Sequence, residues 1–213
     1  MTFTTTSSSR RTPFLKNNWI KLYLLVFISL WAYTLIVTPD LNNWLLENTL
    51  VVIFLVPLFL SYRKCQMSDL SYLLIMLFLC IHVYGSTYTY AENPFGYWLQ
   101  ELFHTKRNHY DRIVHFNFGF LLAYPMREFF MKALKLEKWL TWVLPVEVCL
   151  SVGAAYEVIE WAIADIFFKN QGTAYLGTQG DVWDAQKDIF LAFAGALLAM
   201  LLLAFIKKLR EIK

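Results

Sequence analysis

Six long apolar runs decide what this chain can fold into. They occupy residues 20–37, 44–60, 70–84, 113–130, 139–163 and 189–206. A helix needs about 20 apolar residues to cross the hydrocarbon of a bilayer, and every run except the short third comes near that length. Only helices and closed barrels can span lipid, and a barrel would need short alternating segments instead. The sequence therefore predicts an all-α fold, a polytopic membrane helix bundle with about six transmembrane helices.

Composition supports a membrane protein over a soluble domain. Hydrophobic residues make up 58% of the chain and charged residues only 16%, against about 25% charged residues in average soluble domains. The formal net charge of +3 is small, so nothing indicates a nucleic-acid partner, and membrane lipid is the expected one. The first run is long for a signal peptide and no small-residue cleavage site follows it, which indicates a retained span.

The basic residues indicate how the bundle is oriented. If the N-terminus is cytoplasmic and the spans alternate, 14 Lys and Arg residues fall on inner segments and five on outer segments. This bias follows the positive-inside rule and places both termini in the cytoplasm. We divide the chain into a disordered cytoplasmic N-terminus (1–18), a single six-helix transmembrane domain (19–208) and a cytoplasmic tail (209–213).

The same orientation collects the remaining polar residues on the outer side. All four histidines fall there, together with seven acidic residues: His82, His104, His109, His115, Asp111, Glu157, Glu160, Asp165, Asp181, Asp184 and Asp188. The orientation was derived from Lys and Arg alone, so this grouping is an independent observation. Ionisable groups at membrane depth are costly and usually face a protein interior or a water-filled cavity.

Helical spacing predicts that these groups face one another. Asp181, Asp184 and Asp188 share one face of the last helix, which continues inward through small residues that let helices approach closely. Similar faces run along the fifth span, with Glu157 and Glu160, and along the fourth, with Asp111 and His115.

This arrangement suits acid–base chemistry or a divalent metal ion bound through oxygen and nitrogen. The candidate catalytic residues are Asp111, His115, Glu157, Glu160, Asp184 and Asp188. The candidate metal ligands are His115, Glu157, Glu160, Asp184 and Asp188. The candidate substrate-binding residues are His82, Tyr84, Arg107 and Arg112.

Structural roles could explain the same residues. Asn108 with Asp111, and Asp181 with Asp184, have the spacing of helix caps, and Asp181 is the natural N-cap of the last helix. Glu157 and Glu160 could form ion pairs with Arg112 or Arg107. His82 could hydrogen-bond a backbone carbonyl, and His104 and His109 could be ordinary loop histidines. The aromatic residues of 84–98 could form either an interfacial belt or a substrate groove.

Four stretches carry a resemblance to a known family. They read HVYGSTYTY from His82, RNHYDRIVHFNFGFLLAYPMRE from Arg107, YEVIEW from Tyr156 and LGTQGDVWDAQKDIFLAFAGA from Leu176. Over about residues 70–206 the chain resembles the YjdF-like family of bacterial inner membrane proteins. The resemblance implies a multi-pass protein of the bacterial inner membrane, and it supplies no catalytic residue.

Three functions remain open from the sequence. The first is a membrane enzyme, metal-dependent or not, that acts on a lipid or lipid-linked group at the periplasmic face. The second is a small transporter or ion-coupled carrier that uses the same carboxylates. The third is a non-catalytic membrane protein whose polar cluster is structural. Depth separates the first two, because a carrier needs polar groups near the midplane and these residues crowd one end.

Overall fold

The structure, a computed structural model, describes residues 13–167 and 176–211. Within these ranges the chain forms helices and no strands, so the predicted all-α fold is confirmed. A 3₁₀ turn at Phe14–Lys16 precedes seven helices: α1 (Asn18–Val37), α2 (Leu41–Ser61), α3 (Asp69–Ser86), α4 (Pro94–Leu102), α5 (Tyr110–Lys132), α6 (Leu140–Phe167) and α7 (Asp184–Glu211).

Five of the helices, α1, α2, α3, α6 and α7, are long and apolar enough to cross a membrane. Helix α5 has 23 residues, which is long enough to span, but it is less apolar than the other five, with His115, Asn117, Arg127 and Glu128 among its apolar residues. It packs against α3, α6 and α7 and lies at the centre of the bundle. The neighbouring helices shield its polar groups from lipid, so a polar sequence is tolerated at this position.

Most helices begin before the apolar runs that predicted them. Helix α7 starts at Asp184, five residues ahead of the predicted run at 189–206. Asp40 caps α2 by accepting hydrogen bonds from the backbone N–H groups of Asn42 and Asn43. First turns are rich in capping and acidic residues, so a search for apolar residues alone leaves them out.

Described helical structure extends into both of the terminal segments that the sequence delimits. Asn17 caps α1, and Phe14 packs edge-on against Phe59 and Tyr62, within the segment 1–18 for which disorder is predicted. Residues 1–12 of that segment lie outside the described residues. Helix α7 continues to Glu211, into the predicted tail, whose last two residues are also outside the described ranges.

Small residues set the distance between the central helices. A Cβ atom on Gly119 of α5 would collide with the carbonyl oxygen of Ala192 on α7, and one on Gly195 would collide with the carbonyl oxygen of Phe116. Gly153 of α6 also faces Ala192. The backbones of α5, α6 and α7 therefore approach closely, as the small-residue faces predict.

The helices alternate in direction and give the bundle two chemically different ends. The basic end holds the α2–α3 and α5–α6 connections and the end of α7, with Arg63, Lys64, Lys135, Lys138, Lys207 and Lys208. The acidic end holds the starts of α2, α5 and α7 and the ends of α3 and α6. The assignment of the basic end to the cytoplasm stays a prediction. Lys169, one of the five outer basic residues, lies outside the described residues.

Candidate functional site

Two adjacent helices bring an imidazole and two carboxylates together at the acidic end. Asp111 and His115 lie one turn apart on α5, and Asp188 lies on the second turn of α7. One ligand atom from each of the three residues lies within 4.8 Å of the other two. The close approach of α5 and α7 at Gly119 and Gly195 places these side chains opposite each other.

Asp188 is the most enclosed carboxylate of this group. The residue is only 1% exposed. Its Oδ1 atom is buried and has no hydrogen-bond partner within the described part of the chain. An unpaired carboxylate in such a place is costly unless a proton or a cation neutralises it. Asp188 lies on the second turn of α7, beyond the cap positions, so helix capping does not explain its burial.

Glu157 reaches the same imidazole from α6. Its Oε1 lies 3.3 Å from Nε2 of His115, and Oδ1 of Asp111 lies 3.6 Å from the same nitrogen. Glu160, one turn further along α6, lines the cleft beside this group. The structure thus brings together Asp111, His115, Glu157 and Asp188, with Glu160 adjacent.

The two predicted substrate-binding arginines contact aspartates of α7 and the turn before it. Arg107 lies 2.7 Å from the Asp184 carboxylate. Arg112 lies 2.5 Å from Asp181 and 3.3 Å from Asp184. Neither arginine pairs with Glu157 or Glu160 in the described structure, so the alternative of structural ion pairs applies to Asp181 and Asp184 instead.

Further contacts of Arg107 and its neighbour tie the loop before α7 to the start of α5. Arg107 donates to the backbone oxygens of Thr178, at 2.6 Å, and Gly177, at 3.4 Å. The backbone N–H of Asn108 donates to the Gln179 side chain at 2.9 Å, and that side chain donates back to the Asn108 carbonyl at 3.0 Å. These contacts hold the 176–184 loop, and with it the first turn of α7, in a fixed position.

The capping residues behave partly as predicted. Helix α7 begins at Asp184, so Asp181 is not its N-cap, although its Oδ1 accepts a hydrogen bond from the backbone N–H of Trp183 at 3.1 Å. Asn108 accepts from the backbone N–H of Tyr110 at 3.0 Å, but the residue at the N-cap position of α5 is His109. Hydrogen bonds from Lys187 and Trp183 hold the pKa of the Asp181 carboxyl well below its usual range.

His82 belongs to a second polar group beside the first. Its Nδ1 lies 2.8 Å from the Tyr90 hydroxyl, and its Nε2 lies 3.4 Å from the backbone oxygen of Glu47, the kind of partner that a structural histidine would have. Burial raises the pKa of Tyr90 well above 10, so its hydroxyl stays protonated. Tyr84 instead packs edge-on against Tyr88 and Tyr110.

The remaining predicted loop histidines differ in their surroundings. His104 is exposed, and its backbone has a positive φ of 50°. His109 is partly buried just before α5, where burial and then the nearby charges of Arg112 and Arg107 lower its pKa.

Two cavities adjoin the cluster. An open cleft of about 720 Å³ lies between α6 and α7 and includes Glu157, Glu160, Asp184 and Asp188. A smaller cavity of about 70 Å³ lies among α3, α5 and α6 and is lined by His82, Tyr90, His115 and Tyr156. Asp111 lines both cavities, so it stands at the boundary between them.

Sequence reasoning did not identify three residues that complete the second polar group, namely Glu47, Tyr90 and the half-buried Tyr156. The hydroxyls of Tyr156 and Tyr90 lie 3.2 Å and 3.5 Å from the carboxylate of Glu47. The available signal was Glu47 itself, an acidic residue inside the second apolar run. Tyr90 belongs to the aromatic stretch 84–98, which fitted a belt as well as a groove, and Tyr156 gave no specific signal because tyrosine is common at membrane interfaces.

Fold and cluster together define a multi-pass membrane protein with carboxylates and an imidazole gathered at one end of its bundle. The chain belongs to the family described as Predicted membrane protein (DUF2238), whose model matches residues 19–209. It is 38% identical to Inner membrane protein YjdF of Escherichia coli (strain K12) over 174 residues, which cover 81% of this chain and 82% of that protein. The resemblance read from the motifs is confirmed. No solved structure matches the chain.

Proposed function

We propose that this chain is a divalent-cation-dependent membrane enzyme that acts on a lipid or a lipid-linked group. Asp111, His115 and Asp188 hold the cation in this proposal, and Glu157 serves as the acid or base. The observation that carries it is the buried Oδ1 of Asp188. This atom has no hydrogen-bond partner in the described structure, although the ligand atoms of Asp111 and His115 gather within 4.8 Å.

The donor set supports a metal over a purely structural cluster. Two carboxylates and one imidazole are ligands that divalent zinc, manganese and iron accept. A cation would also offset the repulsion between the carboxylates of Asp111 and Asp188. No arginine or lysine side chain contacts either carboxylate in the described ranges. Asp184 is less suited to bind a metal than the sequence predicts, because Arg107 and Arg112 already occupy its carboxylate.

The cleft supports a substrate with both an apolar and a polar part. Its apolar wall includes Val158, Trp161 and Ile189, and the first two are exposed at the surface of α6. Its floor carries the acidic residues. A lipid could lie with its hydrocarbon against the apolar wall and its head group over the cation. A bound cation polarises phosphoryl or carbonyl oxygens, and Glu157 could then move a proton within the cleft.

The placement of the polar groups favours an enzyme over a carrier. The residues of the cluster lie in the first two turns of α5 and α7, and Glu157 and Glu160 lie in the second half of α6. A carrier would need such groups near the middle of the bilayer. In the orientation that the basic residues predict, the cleft opens at the periplasmic leaflet.

Lipid turnover tests the proposal directly. Protein in nanodiscs of total bacterial inner-membrane lipid should change the abundance of at least one lipid species, measured by mass spectrometry. A chelator or Asp188→Asn should abolish that change. Asp181→Asn, a variant of the same cleft whose carboxylate pairs with Arg112 and Lys187, should retain it. Identical lipid profiles for the native protein and Asp188→Asn would contradict an enzymatic role.

A further inference from the structure

The short helix α4 presents its apolar face away from the protein. Phe95, Trp98, Leu99 and Leu102 follow the spacing of one helical stripe, which in a soluble protein would face the core. Here Trp98 is 55% exposed and Leu102 is 54% exposed. The buried side of α4 is instead the one that carries Gly96.

Buried asparagines fix the orientation of α4. Asn93 caps the helix by accepting from the backbone N–H groups of Phe95 and Gly96, and its amide donates to the Tyr84 carbonyl at the end of α3. Asn108, just before α5, donates to the Asn93 carbonyl at 2.9 Å. A Cβ atom on Gly96 would collide with the Asn108 side chain. The helix is therefore locked to its neighbours, and its exposed stripe is a fixed feature of the fold.

We infer that α4 lies in the plane of the membrane interface at the acidic end, with its Phe95–Trp98–Leu102 stripe inserted among lipid head groups and upper acyl chains. The short connections to α3 and α5, both helices of the bundle, keep α4 at the level where helices leave the hydrocarbon. Trp98 is the residue type that interfaces favour, and Glu101 lies at the edge of the stripe, where its carboxylate can reach water. Exposed Phe103 extends the apolar surface beyond the helix end.

This inference does not depend on the proposed enzymatic function. It assigns a lipid surface as the partner of a region that contributes no metal ligand. A second copy of the chain, or water, is the competing occupant of the stripe, and the experiment below distinguishes the three.

Spin labels on two faces of α4 test the inference in nanodiscs. The native cysteines Cys65, Cys80 and Cys149 are replaced by alanine, and Trp98→Cys and Tyr97→Cys are labelled separately, since Tyr97 is 45% exposed and is neither three nor four residues from any member of the stripe. The label at position 98 should collide with oxygen several-fold more often than with a water-soluble nickel chelate. The matched label at position 97 should show the opposite preference. Equal nickel accessibility at both positions would overturn the inference, as would concentration-dependent dipolar broadening at position 98.

A second measurement uses the native side chain, in case the labelled variants fold poorly. Tryptophan emission of the unmodified protein should be partly quenched by lipids brominated near the head group. Trp98→Phe should reduce the quenchable part of that emission. An unchanged quenchable part in Trp98→Phe, with intact folding by size-exclusion chromatography, would place Trp98 outside the interface and overturn the inference.

Discussion

Two buried carboxylates at opposite ends of the bundle show how similar groups can serve different purposes. At the basic end, the Glu128 carboxylate accepts from the backbone N–H and hydroxyl of Ser68, at 2.9 and 2.8 Å, and from the hydroxyl of Ser71. Lys132 lies 2.5 Å from it. At the acidic end, Asp188 is more deeply buried, yet its Oδ1 has no partner in the described structure.

The difference separates a structural acid from a candidate ligand. Glu128 joins the start of α3 to the end of α5, and both of its oxygens are satisfied, so the fold gains from its charge. Asp188 is surrounded by Asp111, Glu157 and His115, and the fold gains little from its charge without a further cation. Burial alone therefore does not identify a site, whereas an unsatisfied buried acid beside other ligand atoms indicates one.

The largest expected effect on stability is at Glu128. Glu128→Ala should destabilise the protein by about 3 kcal/mol, because it leaves the Ser68 N–H and two hydroxyls without their charged acceptor. Thermal unfolding in detergent measures the change. Glu137→Ala, which removes an exposed acid near the same end, is the control and should leave the melting temperature unchanged. Equal melting temperatures for the two variants would show that Glu128 does not join α3 to α5.

The next largest effect on stability is expected at Gly119, where α5 and α7 approach closely and thereby position Asp188. Gly119→Ala should cost about 2 kcal/mol, because its Cβ would meet the Ala192 carbonyl oxygen and force α5 and α7 apart. Gly153→Ala is the matched control, since its Cβ would lie 3.3 Å from the Ala192 Cβ and needs only a slight adjustment. A larger loss for Gly153→Ala than for Gly119→Ala would contradict the described packing of α5 and α7.

A smaller effect is expected at Asp181, an acidic-end carboxylate that does have partners. Asp181→Asn should lower the melting temperature slightly, because it removes the ion pairs with Lys187 and Arg112. Its folded-state pKa lies below the ordinary value of 3.8, so the stabilisation is complete above that pH and is lost as the pH falls further.

Two changes in conditions test whether the Asp181 carboxyl is held ionised by Lys187 and Arg112. The melting-temperature difference between the native protein and Asp181→Asn should be equal at neutral pH and at about pH 5. It should shrink in high salt, since Lys187 is half exposed. A difference that disappears already at pH 5 would mean that the carboxyl is not held ionised by these partners.

The sequence predicted the bundle well because long apolar runs and basic connections reflect the bilayer directly. It missed α4, a nine-residue helix inside a polar stretch, although Asn93 followed by Pro94 is a recognised helix start. Helix α5 was predicted as a span despite its polarity, because its length and its flanking basic residues are typical of a membrane-spanning helix.

The partners within the acidic end were harder to predict. Helical spacing placed Asp111, His115, Glu157 and Asp188 on facing sides, because that inference needs only the period of a helix. It could not pair Arg107 with Asp184 rather than with Glu157, since the pairing depends on how far α5 and α7 are shifted along each other. The Glu128 contacts with Ser68 and Ser71 were missed because they depend in the same way on how α3 and α5 are shifted along each other.

The metal content of purified protein tests most directly whether Asp188 is a ligand. Elemental analysis of the native protein in detergent should find about one divalent metal ion per chain. Asp188→Asn should weaken metal binding by roughly tenfold or more and leave the melting temperature of the metal-free protein nearly unchanged, while Asp181→Asn should keep the metal. A native protein without metal after exposure to zinc, manganese and iron salts, or an Asp188→Asn protein with the native metal content, would contradict the assignment of Asp188 as a ligand.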